Sequence, residues 1–160
     1  MRKYIPLSLL YLCGLALLSA CSGIKTYPND HPANMKVVAK TDSGSILQGI
    51  DTMVHIYTVS NKCESEYLGT VELDDNKSDV GLPVGQLLYL NFVFVRGGFF
   101  SSSTSSTGID TLLRPKPGAH YLADLQYLDD MYDMEIWERT SGKSGKRKLP
   151  IVPFEACKAK

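Results

Sequence analysis

Charge of either sign is not in excess in this 160-residue chain, where 17 Lys and Arg offset 17 Asp and Glu. The basic footprint that nucleic-acid binders need is missing, so no nucleic-acid partner is expected. Histidine is scarce: His31, His55 and His120 stand far from one another and from Cys63 and Cys157, without metal-ligand spacing. No metal and no cofactor is expected. Long apolar runs are lacking too, since the longest, residues 5–18, falls short of the roughly 20 residues of a permanent transmembrane helix. Internal repeats are not visible.

Motifs of catalysis are equally absent. Gly142-Lys143-Ser144 resembles the end of a phosphate-binding loop, but Trp137 stands where the first Gly belongs and no strand-to-helix setting follows. Neither residues 43–45 nor 101–106 supply the Gly-x-Ser-x-Gly of a nucleophile elbow. Asp124, Asp129, Asp130, Asp133 and Glu135 gather around one expected hairpin without EF-hand spacing, and alternation in strands turns them to solvent as a polar outer surface. The reading is a protein without enzyme activity. An unrecognised periplasmic enzyme is the alternative, and it needs convergent polar residues in a pocket.

The N-terminus carries a different signal. Arg2 and Lys3 precede the apolar run, and small residues follow it, the order of a secretory signal peptide over residues 1–20. The run closes on Leu18-Ser19-Ala20-Cys21, which resembles the lipobox of bacterial lipoproteins. That resemblance implies cleavage before Cys21, a diacylglyceryl group on its thiol and acylation of its new amino group. Several acyl chains anchor stably where one holds only marginally, each buried CH₂ contributing ~0.8 kcal/mol. Ser22, in place of the Asp of inner-membrane retention, implies a bacterial outer-membrane lipoprotein facing the periplasm. Cys63 and Cys157 then remain for an oxidising compartment, and one disulfide is expected, with two unpaired thiols as the alternative. Closing a loop of ~95 residues stabilises by roughly 4 to 5 kcal/mol on the chain-entropy model.

Residues 21–34, rich in Gly, Pro, Asn and Asp, read as the lipidated Cys and its tether, and residues 35–160 as one domain. Strands are expected at 35–40, 52–59, 67–73, 110–114, 119–128 and 131–139, with Tyr67, Val71 and Leu73 inward on the third. Residues 80–85 read as a short edge segment, because Pro83 has no N–H for a central ladder. Residues 86–96 place Leu88, Leu90, Phe92 and Phe94 on one face and Leu87, Tyr89, Val93 and Val95 on the other, the pattern of a central strand. Residues 97–108, mostly Ser and Thr, read as a mobile loop. Phe99 and Phe100 at its mouth either tuck under the sheet or form a partner-contacting tip. The basic segment 139–148 suits an anionic headgroup or acidic partner, or is a hydrated loop. Short strands with turns every ten or so residues predict a mainly β, antiparallel β-sandwich.

The succession Val54-His55-Ile56-Tyr57, Tyr67-Leu68-Gly69-Thr70-Val71, Val80-Gly81-Leu82-Pro83-Val84-Gly85 and 112–121 resembles small bacterial lipoproteins of the DUF2846 type. It implies a transthyretin-like or immunoglobulin-like sandwich. The size, the lipobox and a strand like Met53-Val54-His55-Ile56-Tyr57 are also similar to the transthyretin-like accessory lipoprotein of a secretion complex. The expected function is a lipid-anchored interaction or structural module of the envelope, attached to the membrane through Cys21 and holding an envelope protein partner.

Overall fold

The computed structural model describes residues 24–41, 48–98, 105–128, 131–142 and 144–158. Among these, nine strands precede one short helix: β1 (Met35–Thr41), β2 (Gln48–Val59), β3 (Ser65–Glu72), β4 (Lys77–Val80), β5 (Leu88–Gly98), β6 (Ser105–Leu113), β7 (Ala119–Leu128), β8 (Met131–Thr140), β9 (Arg147–Leu149) and α1 (Glu155–Lys158). They make a five-stranded sheet, β4-β1-β7-β8-β9, and a four-stranded sheet, β3-β2-β5-β6. Pairing is antiparallel throughout except between β1 and β7. The protein is the mainly β sandwich that the alternation predicts.

Period-two alternation builds the core from the two inner faces. Leu88, Leu90, Phe92 and Phe94 of β5 are at most 1% exposed, and Val54 and Ile56 of β2 lie beside them. Val37 and Ala39, Tyr121, Ala123 and Leu125, and Met134 and Ile136 face them from β1, β7 and β8. Each large apolar side chain so buried contributes about 1.5–3 kcal/mol. β5 is central, as expected, between β2 and β6.

Both edges of the four-stranded sheet are covered by the terminal segments. Along β3, the Thr70 N–H donates to the Lys25 carbonyl at 2.8 Å and the Tyr27 N–H to the Thr70 carbonyl at 2.9 Å. Along β6, the Leu112 N–H donates to the Val152 carbonyl at 2.7 Å. Covering an edge blocks pairing with another chain. The described part of the expected tether is therefore a packed strap: Tyr27 is 5% exposed, and its hydroxyl donates to the Gly81 carbonyl at 2.8 Å.

Other differences have local causes. Tyr67 turns outward because a bulge shifts the β2–β3 register, so that Ile56 faces Gly69 while Tyr57 faces Tyr67. The edge strand is residues 77–80 rather than 80–85, because the Asn34 side chain takes both the Leu82 N–H, at 2.9 Å, and its carbonyl, at 2.8 Å. The described residues of the expected mobile loop 97–108 are strand: β5 runs through Gly98 and β6 starts at Ser105, whose ladder to Arg96 needs no apolar side chains. Phe99 and Phe100 lie outside the described residues, as do residues 1–20 of the expected signal peptide and Cys21.

Candidate interaction surfaces

The bulge at Leu68 and the alternation of β2 and β5 bring Tyr67, Tyr57 and Tyr89 into one row on the outer face of the four-stranded sheet. Tyr57 lies between the other two, with ring centroids 5.1 Å from each. Phe154 extends the row, 4.8 Å from Tyr89. Its segment is held by the Phe154 N–H donating to Asp110 at 2.9 Å and the Val152 N–H donating to the Thr111 hydroxyl at 3.1 Å. Met53, Val93 and Val95 continue the face, all half-buried, and Asp51 and Glu72 are exposed at its rim.

This face has binding area and little acid–base chemistry. Burial pushes the Tyr57 and Tyr89 hydroxyls up, with Tyr67 and Asp110 respectively adding to it, so both stay neutral donors. Burial pushes the His55 imidazole down, keeping it neutral at pH 7. Its Nδ1 meets the Thr70 hydroxyl, which also meets the Tyr67 hydroxyl. Neutral Tyr and His with apolar bodies and polar tips suit protein contacts.

The other outer face is charged. Glu135 pairs with Lys148 at 2.6 Å and Asp124 with Lys40 at 3.6 Å, so these acids are indeed part of a polar surface. Inside, at the end of the sandwich, Glu138 is only 7% exposed. It accepts from Lys116 at 3.0 Å, Arg147 at 2.8 Å and the Tyr121 hydroxyl at 3.4 Å. Burial would raise its carboxyl, but the hydrogen bonds and charges of Lys116 and Arg147 outweigh that and hold it below the usual range. The basic segment is consequently divided, with Arg147 and Lys148 tied down in β9 while Arg139 and Lys146 line a groove beside Trp137.

Cys63 and Cys157 form the expected disulfide, their Cα atoms 5.8 Å apart, and it pins α1 to the β2–β3 turn. The three histidines are apart: His31 in the strap, His55 on the aromatic face and His120 in the groove. No cluster of three or more His, Cys, Asp or Glu among the described residues could hold a metal ion. No described helix is long and apolar enough to cross a membrane. The Tyr row, the Glu138 cluster and the groove escape sequence reasoning, although apolar residues on both faces of residues 86–96 are a signal of the first. No protein-family model matches the chain, and no curated protein matches it.

Proposed function

We propose that the chain is a lipid-anchored, non-catalytic lipoprotein of the bacterial envelope that holds a protein partner on the aromatic face of its four-stranded sheet. The observation that carries the anchor is Leu18-Ser19-Ala20-Cys21, closing an apolar run too short to span a bilayer. The Cys63–Cys157 disulfide supports an oxidising compartment such as the periplasm. The row Tyr67, Tyr57, Tyr89 and Phe154 supports protein recognition, because clustered aromatics dominate interface cores. Asp51 and Glu72 flank the Met53 side of the face, so the partner's apolar patch meets them with basic residues there, while the Lys158 ammonium caps the far end of the row at Phe154.

Two measurements in intact cells test this reading. Radiolabelled palmitate is expected to enter the wild-type protein, while Cys21→Ala abolishes labelling and leaves the precursor uncleaved. A photo-crosslinker at Met53 or Val93 is expected to trap one discrete protein, lost on Tyr57→Ala, whereas a crosslinker at Gln126 on the opposite face traps none. Maturation and membrane flotation of Cys21→Ala would refute the anchor. Identical crosslinking from both faces would refute the assigned surface.

A further inference from the structure

On the outer face of the five-stranded sheet, the register aligns Asp79, Lys36, Leu122 and Trp137 in a transverse row, with His120 opposite Arg139 alongside. Together with Lys146, these side chains line an open groove of about 340 Å³ with a largely apolar floor. That volume lies at the small end of ligand sites.

The charges in the groove are unbalanced. Nearby Glu135, Asp124 and Glu138 are neutralised by Lys148, Lys40, Lys116 and Arg147. Lys36 and Arg139 form no ion pair among the described residues, and Lys146 holds its ammonium 4.3 Å from the Trp137 ring and acts at longer range on Glu135, which Lys148 already pairs. Against these three cations the groove holds one carboxylate, Asp79, leaving a net charge of +2. In a chain with no net charge, this is a local excess of cations over the carboxylates of the described residues around them. A phosphate monoester, at about −1.5 to −2, complements it in magnitude. The Arg139 guanidinium offers a planar fork to phosphate oxygens and the lysines offer point charges. The Leu122 and Trp137 side chains accommodate the carbon body of the ester.

We infer that this groove is a binding site for a small phosphate monoester, supplied either as a soluble molecule or as a phospholipid headgroup. The inference does not rest on the partner-binding face, which lies on the other sheet. Trp137 is the only tryptophan in the sequence, so its emission reports the groove directly.

The test uses the full chain in neutral-detergent micelles, titrated with glycerol 3-phosphate, with glycerol, with dihexanoyl phosphatidic acid and with dihexanoyl phosphatidylcholine. A saturable change in Trp137 emission with glycerol 3-phosphate and not with glycerol supports a soluble ester. Saturation by phosphatidic acid alone, with phosphatidylcholine silent, supports a headgroup. No saturable change with either phosphate ester, or equal changes with the matched controls, overturns the site. The exposed variants Lys36→Gln and Arg139→Gln are each expected to weaken binding at least fivefold with unaltered melting, while Lys62→Gln on the other side of the molecule leaves it unchanged. Undiminished affinity in the double variant Lys36→Gln/Arg139→Gln would also overturn it.

Discussion

Breaking the Cys63–Cys157 bridge perturbs the protein in a way whose size follows from the structure. The two residues are 94 positions apart, so the bond restricts most of the domain in the unfolded ensemble. Loop-closure entropy for that length corresponds to about 4.7 kcal/mol at 25 °C, a large share of a typical domain's 5–15 kcal/mol. The native state loses much less, because the tail remains held at Val152 and Phe154 by β6 and by the Tyr89 ring. Only α1 loses its attachment. Cys63→Ala/Cys157→Ala should therefore fold to the same sandwich yet unfold at a lower guanidinium midpoint, with ΔG reduced by about 4–5 kcal/mol. Cys63 also adopts a left-handed backbone, φ 59°, which an L side chain occupies at a cost of about 1–2 kcal/mol. Cys63→Gly/Cys157→Ala should thus recover about 1 kcal/mol relative to the double alanine variant. Equilibrium denaturation of the oxidised protein and both variants, followed by circular dichroism, measures these differences. A loss below about 1 kcal/mol would refute the entropic account.

Three further outcomes are expected. Because the Glu138 carboxyl is held below its ordinary value, its contribution is present above the unfolded-state value of 4.5 and is lost as pH falls through the lower folded-state value. Glu138→Gln should flatten the acid limb of the stability profile, and Lys116→Met/Arg147→Met, which strands a buried charge, should cost about 3–5 kcal/mol by chemical denaturation. Burial lowers the His55 value below 6.5, so its contribution is complete above pH 6.5 and falls away with acidification; His55→Gln should remove that slope in thermal melts between pH 7 and pH 5. A Cβ at Gly81 would overlap the His31 carbonyl, so Gly81→Ala should displace the N-terminal strap and raise amide exchange at Tyr27 and Thr70, and unchanged protection would contradict the packing.

The elements that declared themselves in the sequence are those whose side chains alternate between a wet and a dry face. Val37, Ala39, Leu88, Leu90, Phe92, Phe94, Tyr121, Ala123 and Leu125 all point into the core as their period requires. What stayed hidden depends on long-range geometry. The Leu68 bulge inverts the face of Tyr67, and no local pattern marks an extra residue that only the β2 partner reveals. β9 is three residues of Arg, Lys and Leu, held by Glu138 and Glu135 some ten residues earlier, so its charges read as solvated loop until the acids are seen. The first half of β6, residues 105–109, likewise gains its strand from backbone pairing with β5, which composition does not report, whereas its second half falls in the strand expected at 110–114. The disulfide was legible because compartment and cysteine arithmetic left two thiols, whereas the groove cations stand out only once Asp124, Glu135 and Glu138 are seen with their own cations.

The strap changes what an anchor at Cys21 would do. Residues 22–34, read as a short tether, keep the domain near the membrane, and the chain is already packed on β3 by Lys25 and Tyr27, which shortens the free part further. Three peptide units separate Cys21 from Ile24, a reach of at most about 11 Å. A lipidated Cys21 would therefore hold the β3 side of the sandwich against the headgroups, and the proposed partner would meet the aromatic face, bounded by β3, close to the membrane. Inserting ten Gly and Ser residues between Ser22 and Gly23 leaves every described contact in place while extending the reach severalfold. If closeness to the membrane directs the partner, this insertion should preserve palmitate labelling and thermal stability but reduce the crosslink from Met53. An undiminished crosslink would show that the partner reaches the aromatic face without help from the anchor, and would separate membrane attachment from recognition.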